Sequence, residues 1–124
     1  MNALVSIVIA TYRRSDELAR AISSAIDQTY PNCEIIVVDD NDEKDWNKTV
    51  KAIVEEFSTT STKEIRLIQN HPNQGSAKTR NVGITASAGD YVVFLDDDDL
   101  FLPDRVKSQI EEMLKTDADF GITD

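Results

Sequence analysis

Four consecutive aspartates, Asp96, Asp97, Asp98 and Asp99, follow directly on the apolar run Tyr91-Val92-Val93-Phe94-Leu95. If the strand continued through them, Asp96 and Asp98 would share one face, about 6.6 Å apart along the chain. Two carboxylates at that separation repel by roughly 2.5 kcal/mol at an effective dielectric near 20. A divalent cation removes the repulsion, and hard oxygen donors at this spacing suit Mg²⁺ or Mn²⁺. The bland alternative is a solvated acidic loop. Placement at the carboxyl end of a core strand favours contact with a metal or ligand.

Three other segments carry groups that could bind or react. Asp39 and Asp40 close a second apolar run, Glu34–Val38. They could accept hydrogen bonds from a ribose hydroxyl or a base N–H, or simply cap the residues that follow. Thr11, Tyr12, Arg13 and Arg14 follow the first apolar run. There a tyrosine could stack on a base and the arginines could attract phosphate, or all could be ordinary loop residues. Asn73–Asn81 is dense in amides and cations. A helix starting near Ser76 would aim its N–H groups at an anion with Lys78 and Arg80 adding charge, or it is a plain surface helix. With His71 as the single histidine and Cys33 as the single cysteine, a zinc site is not expected. Cys33 is read as packing, not as a reactive thiol.

These segments must be held by a scaffold, and the apolar periodicity describes one. Leu4–Ala10 reads as a strand buried on both faces. Leu18, Ala21, Ile22, Ala25 and Ile26 then form one helical face, with Ser15 as N-cap and Asp16 and Glu17 in the first turn. After Tyr30-Pro31-Asn32, Glu34–Asp39 is a second strand and Asp40–Asp45 a polar loop. Trp46, Val50, Ile53, Val54 and Phe57 stripe a second helix, with Trp46 expected in the core. Glu64–Gln69 alternates as a third strand, and Gly75–Ala88 is helix-like but weakly patterned. After the strand Tyr91–Leu95, Pro103 suits the first position of a helix whose buried face is Leu102, Val106, Ile110, Met113 and Leu114. A fifth strand is expected to begin at Phe120. Such alternation predicts an α/β fold, Rossmann-like, with a mainly parallel sheet and helices on both faces. Its ligands are expected beyond the carboxyl ends of the strands.

Composition narrows the function. The chain has 124 residues, suited to one domain, and 33 of them are Leu, Ile, Val or Phe, enough for a core. Lys and Arg number 13 against 23 Asp and Glu, a formal charge of −10, which argues against nucleic-acid binding. No apolar run is long enough for a membrane span, no signal peptide is visible, and a lone cysteine fits a reducing cytoplasm. Ala10–Ser15 contains no glycine, so neither the dinucleotide G-x-G-x-x-G turn nor a phosphate-binding P-loop is present.

Taken in order, five pieces resemble the donor-binding half of family 2 glycosyltransferases with the GT-A fold. They are Val5–Arg14, Ser24–Tyr30, Glu34–Asp40, Asn73–Ile84 and Gly89–Asp99, in register over essentially all 124 residues. The resemblance implies an inverting transferase that holds a nucleotide-diphosphate-sugar donor with Mn²⁺ or Mg²⁺. It implies that Thr11 and Tyr12 line the base pocket and that Asp40, with Asp39, contacts base or ribose. Arg80 and Lys78 would face the diphosphate or sugar. Asp96 and Asp98 would stand at the family's DxD motif, Asp98 as direct metal ligand, with Asp97 near the ribose. The acceptor would be a carbohydrate or lipid-linked glycan, and the protein cytoplasmic or at the inner face of a membrane.

Two departures matter. The family usually has Gly-Ser after the aspartates of the second strand, whereas this chain has Asn41-Asp42. The family's general base also lies well beyond its DxD motif, and this sequence ends 25 residues after Asp99. Residues 1–124 are therefore expected to be a donor-binding domain cut before the acceptor part, with little activity alone and prone to dimerise through uncovered sheet or helix surface. A non-catalytic nucleotide-sugar-binding module is the alternative. A phosphoacceptor receiver domain fits poorly, since it needs paired acids after the first strand.

Overall fold

The computed structural model describes residues 3–70, 72–116 and 122–123. The elements are β1 (Val5–Thr11), α1 (Asp16–Ile26), β2 (Cys33–Asp39), α2 (Lys44–Ser58), β3 (Glu64–Gln69), α3 (Ser76–Ala86), β4 (Tyr91–Phe94), α4 (Arg105–Thr116) and β5 (Ile122–Thr123). The strands form one sheet in the order β3-β2-β1-β4-β5, and every neighbouring pair is parallel. This is the α/β Rossmann-like architecture that the alternation of apolar periods predicts. The strand order reverses beside β1, between β1 and β4, which is where such sheets open a crevice.

Each face of the sheet has its own core. Val5, Ile7 and Ile9 of β1 point with Ile35 and Val37 toward α1, α2 and α4, which contribute Leu18, Ile22, Val50, Val54, Val106 and Ile110. The alternate residues Val8, Ile36, Val38 and Val92 face α3 with Val82 and Ile84. Continuous apolar runs are thus needed because both faces are covered. Helix α3 lies close against the sheet, for a Cβ on Gly83 would come within 2.3 Å of Val8 Cγ1. That closeness explains its weak apolar stripe: Thr79 and Gly83, two small residues, are its buried positions.

At the amino ends of the strands, on the α3 face, sits a buried polar network. Glu34 accepts hydrogen bonds from the Ser6 hydroxyl (2.5 Å), the Ala88 N–H (2.7 Å) and Arg66 (2.9 Å). Burial alone would raise the Glu34 pKa, but these donors outweigh it and the net displacement is downward.

Several local expectations are corrected. Ser15 occupies the N-cap position of α1, yet its side chain makes no capping hydrogen bond. Trp46, in the first turn of α2, is only half-buried and belongs to neither core cluster. Helix α4 begins at Arg105, not Pro103, because the buried Gln28 side chain supplies the cap, accepting the Val106 N–H (3.0 Å) and donating to the Leu102 carbonyl (2.8 Å). Leu102 and Leu114 are 79% and 53% exposed, leaving Val106, Ile110 and Met113 as the buried face. Cys33 is buried beside β2 with its thiol pushed up to about 11, the behaviour of a packing residue. His71, Phe120 and Gly121 lie outside the described residues. No described helix is long and apolar enough to cross a membrane.

Candidate active site

The carboxyl ends of β1, β2 and β4 and the start of α3 enclose a cavity of about 510 Å³. Register decides what meets there. Strands β1 and β2 end level, Thr11 opposite Asp39, while β4 stops with Phe94 opposite Val8. The chain after Phe94 therefore runs beside Ala10–Tyr12 and delivers the aspartates to the mouth of the crevice.

The aspartates do not continue the strand. The Asp99 N–H bonds the Asp96 carbonyl (3.1 Å), so Asp97 and Asp98 occupy the centre of a turn. Aspartate favours such turns, and a strand of four like charges has nothing to pair them. The expected alternation of faces is thus replaced: Asp96, Asp97 and Asp98 all line the one cavity. Asp96 lies 3.2 Å from Arg80, and Asp98 lies 3.4 Å from Arg14. Asp97 accepts the Tyr12 N–H at 3.1 Å and lies 3.7 Å from Arg14. Burial pushes the Asp97 carboxyl above the usual range. The Tyr12 N–H, the Thr11 hydroxyl and Arg14 pull against it, and Asp98 adds to the rise.

The rest of the lining comes from the end of β1, Asp40 after β2 and the approach to α3. Thr11 is buried and Tyr12 is 44% exposed, its ring backed by the Arg13 guanidinium at 5.1 Å. Asp40 is 5% exposed and gathers the Asn70 amide (3.0 Å), the Gln74 N–H (2.7 Å) and the Gly75 N–H (3.0 Å). Those donors, with the Thr79 hydroxyl, overcome the cost of burial and leave its pKa below the ordinary value. Gly75 has φ +84°, a conformation that glycine adopts without steric cost, and it aims α3 at the cavity.

Thr11, Tyr12, Asp40, Arg80, Asp96, Asp97 and Asp98 therefore meet in one place, joined by Arg14 of the Thr11–Arg14 segment and by Asn73, Ser76 and Thr79 of the Asn73–Asn81 segment, for which the sequence suggested no individual roles. Which residues of α3 face the cavity had a readable signal. Ser76, Thr79 and Arg80 are spaced i, i+3, i+4, one face of a helix, and Lys78 at i+2 is not on it. Lys78 instead lines a separate groove with Ile68, Asn81 and Val82. Asp39 is the second correction. It is fully buried and turned to the opposite face of β2 from Asp40, as strand alternation requires. Its carboxylate is filled by Asn41, by Asn47 of α2 and by Gln69. It holds the loop, and does not line the cavity.

A crevice at the switch point of a parallel sheet, lined by an aromatic side chain, arginines and carboxylates, defines a Rossmann-like α/β architecture with its candidate site where such sheets bind ligands. Comparison with known proteins agrees. The sequence matches Glycosyl transferase family 2 over residues 6–123 and belongs to that family. It is 34% identical over 117 residues to WfgD of Escherichia coli, a UDP-Glc:alpha-D-GlcNAc-diphosphoundecaprenol beta-1,3-glucosyltransferase, covering 94% of this chain and 44% of that protein. It is 35% identical over 108 residues to an uncharacterized glycosyltransferase of Haemophilus influenzae, covering 87% and 34% of the two. Among solved structures, Staphylococcus aureus TarS superposes with a TM-score of 0.76 at 25% identity, over 90% of this chain and 20% of that one. PcManGT, a mannosyltransferase of Pyrobaculum calidifontis solved with GDP-Man and Mn²⁺, shares the fold, with a TM-score of 0.74 at 22% identity over 96% and 33%. The chain spans less than half the length of these relatives.

Proposed function

We propose that this chain is the donor-binding part of a longer, inverting, metal-dependent glycosyltransferase that uses a nucleotide-diphosphate sugar. One observation carries the reading: Thr11 and Tyr12 line the same cavity as Arg80, Asp96 and Asp98. Such a lining offers an aromatic platform for a base and a charged region for a diphosphate. Relatives lend support: WfgD is a UDP-Glc-dependent glucosyltransferase, and TarS has been solved in complex with UDP-GlcNAc.

In this reading Tyr12, stiffened from behind by Arg13, stacks on the base, and Thr11 and Asp40 border it. Asp97 faces the ribose. Arg80, held over the Phe94 ring at 5.5 Å, turns its guanidinium to the phosphates, and Arg14 flanks them from β1. The donor set also suits a hard cation. Among the described residues no three His, Cys, Asp or Glu side chains converge to cage a metal. Mg²⁺ and its like bind instead through one or two carboxylates plus substrate phosphates, a role open to the half-exposed Asp98 and Asp96. Such a cation, Mn²⁺ or Mg²⁺, neutralises charge on a departing nucleoside diphosphate. The acceptor is a carbohydrate or lipid-linked glycan.

Calorimetric titration of UDP and of GDP, with Mn²⁺ and with EDTA, tests the reading. At least one nucleotide is expected to bind better with Mn²⁺, and Asp98→Ala to remove that gain. Equal affinity with and without metal would exclude the metal assignment, and no binding of either nucleotide would refute the donor site.

A further inference from the structure

Two consecutive backbone N–H groups of the β1–α1 loop are pinned by side chains from the strand ends on either side. The Tyr12 N–H donates to Asp97, beyond β4, and the Arg13 N–H donates to the Asn41 amide oxygen, beyond β2, at 2.9 Å. At the second of them the backbone does something an ordinary side chain resists. Arg13 has φ +51°, and no other described non-glycine residue has a positive φ. A left-handed conformation at such a residue persists only when its surroundings enforce it.

The enforcing group is itself locked. Asn41 is fully buried, and both its backbone N–H and its side-chain Nδ2 donate to the same oxygen of Asp39, at 2.9 and 2.7 Å. A carboxylate accepts only, so the Asn41 amide must present Nδ2 to Asp39 and Oδ1 to Arg13. The other Asp39 oxygen accepts from Asn47 at 2.8 Å and Gln69 at 3.1 Å, anchoring the unit to α2 and β3.

We infer that Asn41, clamped by Asp39, is a positioning residue: it holds residue 13 left-handed and so sets Tyr12 at the cavity wall. It stands where the sequence departs from the Gly-Ser pattern of its family, and glycine there has no side chain to supply this bond. Asp39 acts through Asn41 and touches no ligand. The inference rests on the nucleotide-site reading for its consequence, though not for its geometry.

Two measurements test it. By hydrogen exchange, Asn41→Ala is expected to expose the Arg13 amide while the β1 and β2 core amides keep their protection, which shows that the sheet is intact. By calorimetry with UDP or GDP and Mn²⁺, Asn41→Ala is expected to weaken binding roughly tenfold, the scale of one enforced left-handed residue. Arg13→Gly, added to Asn41→Ala, is expected to recover part of that loss, because glycine adopts the conformation unaided. A merely structural Asn41 gives no such rescue. If Asn41→Ala unfolds the sheet, exposed Arg13→Pro replaces it, since proline removes the N–H and forbids positive φ; it is expected to weaken binding at least as much. Unchanged Arg13 exchange in Asn41→Ala, loss without rescue, or full affinity in Arg13→Pro would overturn the inference. A wild-type protein that binds neither nucleotide refutes the donor-site reading, and Arg13 exchange then decides the positioning role alone.

Discussion

Asp39-Asp40 and Asp96–Asp98 are both acid runs at the carboxyl ends of buried parallel strands, and they do opposite things. Asp40 is 5% exposed and surrounded by fixed N–H donors from the backbone and Asn70. Its pKa falls because those donors exceed the cost of burial. Asp97 has one backbone donor and shares its neighbourhood with Asp98, and its pKa rises. The flanking Asp96 and Asp98 are half-exposed and pair with Arg80 and Arg14, at 3.2 and 3.4 Å. A carboxylate supplied with preset dipoles becomes part of the scaffold. One paired with partly exposed arginine side chains stays able to exchange them for something else.

The sharpest way to break this contrast is to delete one acid from each end. Asp40→Ala strands the Gln74 and Gly75 N–H groups and the Asn70 amide, and is expected to cost about 3 kcal/mol or more in urea unfolding. Asp98→Ala is expected to change stability by less than about 0.5 kcal/mol while removing the metal-dependent gain in nucleotide affinity. Equal losses of stability would put both clusters in the scaffold.

Acid titration probes the same division. Glu34 and Asp40 have lowered folded pKa values, so the stability they confer is present above their ordinary values of 4.5 and 3.8 and is lost as pH falls through the folded values. Asp97 is raised, so it penalises the fold above its folded pKa, and the penalty is relieved as pH falls toward 3.8. The Glu34 and Asp40 contributions are lost below about pH 4.5, and urea midpoints are expected to drop there. Glu34→Gln should flatten that drop; an unchanged slope would deny the Ser6-Glu34-Arg66 network its role.

A smaller effect of opposite sign belongs to Asp97. Because burial penalises its charge, Asp97→Asn is expected to raise stability at pH 7 by about 0.5–1 kcal/mol while weakening nucleotide binding. Thermal unfolding beside calorimetry reads both, and a destabilised variant would place Asp97 with Asp40. The smallest expected change is for Arg14→Gln. Its pairs with Asp97 and Asp98 are long and solvent-screened, so stability should move by less than about 0.5 kcal/mol in urea titration. A loss above 1 kcal/mol would mean that the arginines, too, are scaffold.

The sequence by itself determined the α/β alternation, the parallel sheet and the family, because apolar period and turn residues are local properties. It also brought Thr11, Tyr12, Asp40, Arg80 and the aspartates after β4 forward as candidates, since all lie at strand ends or a helix start. Side-chain direction was only partly legible: helical spacing separates Arg80 from Lys78, and strand alternation separates Asp40 from Asp39. Where β4 would stop, and hence that three aspartates would share one cavity, depended on its four-residue pairing with β1. That Gln28, not Pro103, would set the start of α4 depended on a residue 78 positions away. The Asp39–Asn41–Arg13 relay joins residues 28 positions apart in two loops, beside the Arg13–Glu43 pair. Tertiary structure alone decides such matters, because a hydrogen-bond donor satisfies whichever acceptor the packed strands bring within 3 Å, and no local pattern records that distance.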